Sequence, residues 1–181
     1  MTAVESEVKL RVADAESARE ALRRVGASLT RPRHFEDNVL LDDPAGSLRA
    51  EDRLLRVRRV GESGALTYKG PREIVEGVKS RPEIETAIAD PKAAESIFRA
   101  LEYRPVFRYQ KYREVYGLGD VEVVVDETPI GTFLEIEGEI DAVHRAAAAL
   151  GYDPRDYVAD SYATLFFAAG GHGDMVFGHE P

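Results

Sequence analysis

The stretch Glu5-Ser6-Glu7-Val8-Lys9 lies near the start of the chain, within a run in which apolar and charged side chains alternate. The apolar members of this run are Val4, Val8, Leu10 and Val12, and the charged members are Glu5, Glu7, Lys9 and Arg11. Successive side chains of a β-strand point to opposite faces, so a period of two predicts a strand with one apolar face and one charged face. The charged face carries both signs of charge.

The remainder of the chain alternates between extended and helical patterns. Further strands are predicted over residues 34–42, 53–60, 65–69, 81–88, 107–116, 120–126 and 132–139, separated by turn signals such as Gly61 and Gly70-Pro71. Amphipathic helices are predicted over residues 15–25, 91–101, 141–150 and 153–168. No repeat and no linker interrupts this order, so we predict a single domain over residues 1–168. The glycine-rich residues 169–181 are predicted to form a flexible tail, on which His172 and His179 are solvated and do not bind a metal.

The charged faces of the predicted strands have an unusual composition. They carry Arg56, Arg58, Lys69, Arg81, Glu83, Glu85, Lys111, Arg113, Glu122, Asp126, Glu135, Glu137 and Glu139. One interpretation is an antiparallel sheet with one solvated face and one face covered by helices. Nearly every strand, however, offers Arg, Lys or paired carboxylates. We therefore favour an α+β fold in which an antiparallel β-barrel has a charged interior and its helices pack outside.

The charged side chains of such an interior indicate what kind of ligand it would bind. Clustered Arg and Lys need an anion of several charges, and the planar Arg fork suits phosphate oxygens. Carboxylates two residues apart on one strand suit a hard divalent cation. The chain has no glycine-rich phosphate loop, so side chains would hold the phosphates. Together these features predict a site for a metal-complexed polyphosphate.

Composition excludes several other classes of protein. The 181 residues include 24 Lys and Arg, 33 Asp and Glu and no Cys, for a formal net charge of −9. The acidic total argues against a nucleic-acid partner, and the missing Cys excludes disulfides, zinc–thiolate sites and thiol catalysis. With no secretory signal and no long apolar segment, we expect a cytoplasmic location and no membrane partner. The oligomeric state stays open.

The charged motifs resemble those of a known family. Glu5-Ser-Glu7-Val-Lys9 resembles the ExExK signature of the CYTH superfamily, the triphosphate tunnel metalloenzymes. Later landmarks follow in the family's order: Arg56-Val-Arg58, Tyr68-Lys69-Gly70-Pro71, Arg81-Pro-Glu83-Ile-Glu85, Lys111-Tyr-Arg113, Asp126 and Glu135-Ile-Glu137-Gly138. The stretches His34–Asp43 and Asp160–Leu165 resemble the family's second strand and last helix.

This resemblance implies an eight-stranded antiparallel tunnel in which some charged residues bind the triphosphate and others bind the metal. It assigns triphosphate binding and catalysis to Lys9, Arg56, Arg58, Lys69 and Arg113, with help in binding from Arg81 and Lys111. It assigns Mg²⁺ or Mn²⁺ to Glu135 and Glu137, with Glu5 and Glu7 completing that site or holding a second ion, and with Glu85 and Asp126 as auxiliary ligands. We expect Glu83 and Glu139 to form salt bridges, and Arg11 to lie at a tunnel mouth.

The leading functional prediction is metal-dependent hydrolysis of inorganic triphosphate or a nucleoside triphosphate. One alternative is a class IV adenylyl cyclase, in which the ribose 3′-hydroxyl of ATP attacks the α-phosphorus and pyrophosphate leaves. A second alternative is a polyphosphate- or nucleotide-binding module without catalysis. No lysine follows Lys111, so the lysine that animal thiamine triphosphatases are expected to carry in a late helix is absent, and thiamine triphosphate is disfavoured as the substrate. Arg155, Tyr157 and Tyr162 are candidates for controlling selectivity.

Overall fold

The computed structural model describes residues 3–178. Its strands are β1 Ala3–Val12, β2 Ser28–Asp42, β3 Leu54–Val60, β4 Ser63–Lys69, β5 Glu73–Val75, β6 Val78–Ile88, β7 Arg104–Leu118, β8 Val121–Thr128 and β9 Gly131–Glu137. Its helices are α1 Ala15–Arg24, α2 Ser47–Ala50, α3 Pro91–Ala100, α4 Ile140–Ala149 and α5 Tyr162–Ala168. A 3₁₀ turn, Pro154–Asp156, precedes α5. In this part of the chain, no helix is long and apolar enough to cross a membrane.

Eight of the strands close into a barrel. The order of hydrogen-bonded neighbours is β1-β9-β8-β7-β2-β3-β4-β6, and β6 pairs back with β1. Each of these pairings is antiparallel. The short strand β5 forms a hairpin with the first residues of β6 and is not part of the closed circuit. The predicted α+β class and eight-stranded antiparallel barrel are therefore confirmed.

The main core lies outside the barrel, between the strands and two helices. Val8 and Leu10 of β1 are buried against Leu22 of α1 and Val143 of α4. Helix α1 begins after Asp14, whose side chain accepts a hydrogen bond from the backbone N–H of Ser17 at 2.8 Å. A smaller cluster joins β2 and β3 to the chain around α3. Because the apolar faces are covered from outside, the charged faces turn into the barrel.

The predicted helix over residues 153–168 is wrong. Its first residues form the 3₁₀ turn, and Val158 donates a backbone hydrogen bond of 2.8 Å to the carbonyl of Lys9 in β1. Helix α5 then begins after Ser161, whose hydroxyl accepts from the backbone N–H of Thr164. An unpaired edge of β1 thus holds the intervening residues extended, which local helical spacing could not reveal.

Residues 170–178 are also packed more closely than the predicted flexible tail. Met175 is fully buried and exchanges backbone hydrogen bonds with Arg108 and Gln110 of β7. The Phe177 ring lies 5.3 Å from that of Tyr112. These residues occupy the part of the β7 edge that extends beyond β8. His172 is exposed, whereas His179 lies outside the described residues.

Candidate functional site

The barrel encloses a cavity of about 320 Å³. It contains most of the side chains that the sequence predicts for the site: Glu5, Glu7, Lys9, Arg56, Arg58, Lys69, Arg81, Glu85, Lys111, Arg113, Glu135 and Glu137. The remaining predicted residue, Asp126, lies behind this lining and is completely buried. Closure of the barrel therefore gathers predicted residues from six strands around one polar space.

Glu135 and Asp126 hold one group of cations in place. Glu135 lies 3.0 Å from Lys9 Nζ and 2.5 Å from an Arg113 nitrogen. Asp126 accepts hydrogen bonds from Lys111 at 2.8 Å and from Arg113 Nε at 2.7 Å. Burial disfavours the charged form of Glu135, but Lys9, Lys111 and Arg113 outweigh it and hold the pKa of Glu135 well below its usual value.

An aromatic side chain from α5 contacts the same group. The hydroxyl of Tyr162 donates a 2.9 Å hydrogen bond to Asp126, and its ring centroid lies 4.6 Å from Lys9 Nζ. Burial and the nearby Asp126 raise the pKa of Tyr162 well above its usual value, so the hydroxyl stays protonated. Tyr162, which the sequence suggests only as a candidate for controlling selectivity, thus also contacts the buried charges.

The arginines of β3 form the opposite wall. Arg56 donates to the hydroxyl of Tyr109 at 3.3 Å and to that of Thr67 at 3.1 Å. Arg58 Nε donates to Asn38 at 3.0 Å. Arg56 also contacts Glu85, and Arg58 contacts Glu36, each at 3.4 Å, and both arginines line the cavity. Arg81 differs, because it donates to the backbone carbonyls of Gly70 and Asp52.

Lysine–glutamate pairs line the wall formed by β1, β4 and β6. Lys69 contacts Glu5 and Glu83, the latter at 2.8 Å, and Lys79 contacts Glu7. The expected salt bridge of Glu83 is present, with Lys69 as its partner. The one expected for Glu139 is not: within residues 3–178 this side chain has no ion-pair partner, because it is exposed beyond the end of β9. Burial alone would raise the pKa of Glu7, but Lys79 outweighs it and lowers that pKa to about 2.

A row of carboxylates crosses three neighbouring strands near the barrel end where β9 ends and β8 begins. Glu137 is paired in register with Glu7 on one side and with Glu122 on the other. We call Glu7, Glu122 and Glu137 the carboxylate row. Glu137 is exposed at this end of the tunnel, but the groups around it partly desolvate its carboxyl, and this desolvation together with the charge of Glu7 raises its pKa to about 7.

The carboxylate row fits a divalent cation in its chemistry. Its ligands are hard oxygen donors, and the raised pKa of Glu137 indicates negative charge that the protein itself leaves uncompensated. Between residues 3 and 178, no three acidic or histidine side chains are gathered closely enough to hold a metal ion. The donors are thus adjacent along the strands, but their carboxylates do not converge on one point.

Sequence reasoning missed three residues that contribute to the site. Lys79 and Tyr109 line the cavity, and Glu36 is buried in its wall beside Lys111 and Arg58. The signal for Lys79 is that it shares a strand face with Arg81, but the predicted strand begins three residues after the observed start of β6 at Val78. Burial opposes the charge of Glu36, yet Lys111 and its neighbours keep its pKa well below the usual value.

The structure is that of a tunnel protein: a closed antiparallel barrel whose interior combines arginines, lysines and carboxylates. Its family is identified by comparison with known protein families. The chain belongs to the CYTH domain family, which matches residues 3–162. The predicted family is therefore confirmed, and its members are triphosphate-processing enzymes that typically use divalent metals.

Two relatives share close to a third of their aligned residues with this chain. A provisionally named adenylate cyclase of Methanocaldococcus jannaschii is 30% identical over 142 residues, which span 78% of this chain and 80% of the relative. Adenylate cyclase CyaB of Aeromonas hydrophila is 30% identical over 133 residues, which span 73% of this chain and 67% of the relative.

Solved structures share the fold at lower identity. A Vibrio parahaemolyticus protein, provisionally described as an adenylate cyclase, superposes with a TM-score of 0.81 at 17% identity, covering 92% of this chain and 99% of that one. The Hippeastrum protein HpAC1 superposes with a TM-score of 0.69 at 20% identity, covering 93% and 97% of the two chains. HpAC1 is described as a provisional adenylyl cyclase with a dominant triphosphatase activity.

Proposed function

We propose that this protein hydrolyses inorganic triphosphate or a nucleoside triphosphate inside its tunnel, with Mg²⁺ or Mn²⁺. The observation that carries the proposal is the convergence of Lys9, Arg56, Arg58, Lys69 and Arg113 on one cavity of about 320 Å³. Such a density of fixed positive charge suits a linear anion with several charges. Family membership and the dominant triphosphatase activity described for HpAC1 support the same reaction class.

The basic side chains bind and orient the phosphates. Arg56 and Arg58 approach from one wall, while Lys9 and Arg113 approach from the wall formed by β1 and β7–β9. Phosphoryl transfer depends mainly on positioning and on stabilising charge on the phosphoryl oxygens, and guanidinium groups held by Asn38 and Tyr109 need little reorganisation. Lys111, anchored on Asp126, adds positive charge behind them.

The carboxylates supply the place for the metal. Glu135 and Glu137 would hold it, with Glu5 and Glu7 adjoining and Glu85 as an auxiliary ligand. Asp126 is the least accessible of the predicted ligands, because it is fully buried and bonded to Lys111, Arg113 and Tyr162. A bound Mg²⁺ or Mn²⁺ supplies charge neutralisation and polarises a phosphoryl oxygen or a water molecule.

A second candidate function is the cyclisation of ATP to cyclic AMP and pyrophosphate. Both sequence relatives bear the name adenylate cyclase. The cavity also has an aromatic end, where the rings of Phe107 and Tyr109 lie 5.9 Å apart and that of Tyr162 lies 6.4 Å from Tyr109. These rings offer apolar surface to a base, whereas inorganic triphosphate would make no use of them.

Product analysis separates the candidates. The purified protein is given inorganic triphosphate or ATP with Mg²⁺ or Mn²⁺, and orthophosphate, pyrophosphate and cyclic AMP are quantified. We expect orthophosphate release from at least one triphosphate and no cyclic AMP. Cyclic AMP with an equal amount of pyrophosphate would overturn hydrolysis in favour of cyclisation. Tight binding without any turnover would instead indicate a binding module.

A matched pair of variants links the activity to the tunnel. Arg58→Gln removes a cation that faces the cavity, and we expect kcat/KM to fall by about 100-fold. Arg31→Gln is the control, because Arg31 is an exposed residue of β2 outside the cavity lining. Equal activities of the two variants would remove Arg58 from the proposed site.

A further inference from the structure

Lys79 is a buried cation of the tunnel to which the proposed reaction assigns no part. It lies on β6, is 9% exposed, and lines the cavity on the same strand face as Arg81 and Glu83. The β1–β6 register places it directly across from Glu7, with which it forms an ion pair. Its ammonium group therefore neutralises the innermost member of the carboxylate row.

The influence of Lys79 reaches beyond Glu7. Glu7 is paired in register with Glu137 of β9 as well as with Lys79 of β6, so Lys79 lies one strand away from a second carboxylate of the row. Lys79 thus stands beside the oxygen donors that a divalent cation would need.

Lys9 occupies the other side of the same donors. Its Nζ lies 3.0 Å from Glu135, the residue that faces it on β9. Glu7 lies two residues before Lys9 on the same face of β1. With two lysines bonded to these carboxylates, the described residues contain no carboxylate cluster ready for a metal. Lys9 and Lys79 therefore balance the charges of Glu135 and Glu7.

We propose that Lys79 is a positioning residue that couples the binding of the triphosphate to that of the metal. Before either ligand binds, the ammonium group of Lys79 pairs with the carboxylate of Glu7. When the anion enters, the ammonium group of Lys79 turns from Glu7 to a phosphate oxygen. Glu7 is thereby released to the divalent cation. The identity of the anion rests on the proposed function, whereas the competition between Lys79 and the metal rests on the ion pair itself.

The physical basis is that both ligands must break the same ion pair. If the triphosphate binds first, its binding free energy is reduced by the free energy needed to separate Lys79 from Glu7, and the metal then binds a Glu7 that is already free. If the metal binds first, it bears that cost, and the triphosphate then binds a Lys79 that is already free. Coupling of this kind is reciprocal, and commonly changes affinity by about 5- to 150-fold. The four-carbon stem of lysine allows its ammonium to move between neighbouring acceptors without moving the strand.

The test measures Mn²⁺ binding in the absence of any phosphate. Calorimetric titration of Lys79→Gln should give an affinity about tenfold higher than that of the unsubstituted protein, because the competing cation is gone. Lys79→Met fills the same volume and provides the same measurement if the Gln variant does not fold. An affinity for Mn²⁺ that is unchanged or lower in a folded variant would overturn the proposal.

Three controls make the outcome specific. Lys92→Gln removes an exposed lysine of α3 and should leave Mn²⁺ affinity unchanged. Adding Glu7→Gln to Lys79→Gln should abolish the gain, and its persistence would place the effect elsewhere. Triphosphate titrated with a chelator present should bind Lys79→Gln more weakly than the unsubstituted protein. None of these titrations depends on turnover, so an inactive protein would refute hydrolysis without deciding the competition.

Discussion

The charged side chains inside the tunnel are stabilised mainly by one another. Arg113 bonds to both Asp126 and Glu135, and Lys111 bonds to Asp126. Removing one partner of a buried ion pair leaves the other charge uncompensated in a medium of low dielectric constant, which is far more costly than at the surface. Individual carboxylates should therefore matter for stability as well as for ligand binding.

Asp126 gives the clearest case. Asp126→Asn removes the charge that faces Lys111 and Arg113, and we expect the free energy of unfolding to fall by about 3 kcal/mol. The measurement is urea denaturation followed by circular dichroism. Asp120→Asn, at the exposed turn between β7 and β8, should change it by less than about 0.5 kcal/mol. Equal stabilities of the two variants would show that Asp126 is not needed to balance the buried cations.

The raised pKa of Glu137 leads us to predict that metal binding depends on pH. Its pKa of about 7 means that a proton competes with the metal below neutral pH. We expect Mn²⁺ affinity to rise as pH increases from 5.5 to 7 and to level off above that, as followed by calorimetry. In Glu137→Gln this part of the pH dependence should be absent. A profile unchanged by the substitution would assign the titration to another group.

The same raised pKa has a defined effect on stability. The folded protein holds a proton on Glu137 up to about pH 7, whereas the usual value of 4.5 applies to the unfolded chain. The contribution of Glu137 to the free energy of unfolding is therefore fully present below pH 4.5 and is lost as pH rises towards 7. Glu7 acts in the opposite sense, because its pKa of about 2 stabilises the folded state above pH 4.5 and this contribution is lost on acidification.

Among the structural elements, the strands follow local pattern and the C-terminal elements do not. Residues 4–12 form β1 as their period of two predicts, because its apolar face packs against α1 and α4. Residues 153–168 have helical spacing, but Val158 pairs with β1 and delays α5 to Tyr162. The difference comes from an unpaired strand edge, which belongs to a distant part of the chain.

Met175 tests the contribution of the C-terminal segment. It is fully buried in a cluster with Phe107, Phe133 and Tyr162. Met175→Ala leaves a cavity there, and we expect a loss of about 2–3 kcal/mol in the free energy of unfolding. Val106→Ala, at an exposed position of β7, is the control and should cost less than about 1 kcal/mol. If Met175→Ala were no more costly than the control, the segment would not contribute to the core.

At the scale of the whole molecule, the tunnel gathers basic side chains although the chain as a whole is acidic. The chain carries a net charge of −9, yet its tunnel gathers eight basic side chains: Lys9, Arg56, Arg58, Lys69, Lys79, Arg81, Lys111 and Arg113. Glu85, Glu122 and Glu137 are the exposed acidic residues of its lining. An incoming triphosphate therefore meets negative charge before it reaches the cations.

This arrangement predicts an unusual effect of salt on association. Without metal, the association rate constant of triphosphate should rise as salt increases from 20 to about 150 mM, because screening over a Debye length of about 8 Å weakens the repulsion at the entrance. Stopped-flow fluorescence of tyrosine provides the measurement. In Glu122→Gln the rise should be smaller, whereas a rate that falls with salt in both proteins would indicate attraction at the entrance.

The sequence by itself determined the fold class and the chemistry of the interior. The alternation of apolar and charged residues required each strand to bury one face, and four amphipathic helices were available to cover the apolar faces. Charged faces with both signs on nearly every strand favoured a closed barrel over an open sheet with one solvated face, and the resemblance to the CYTH superfamily implied its eight strands. Nearly all predicted site residues line the cavity for this reason. The physical cause is the period of two, which is local and can be read from the chain.

Only the tertiary structure decided which charges are partners. Lys79 meets Glu7, and Lys111 and Arg113 share Asp126, because strands distant in sequence are brought into one register. Closure also placed Asp126 behind the cavity wall and Met175 against β7. An ion pair depends on distances between side chains across the barrel, and no pattern along a single strand contains those distances.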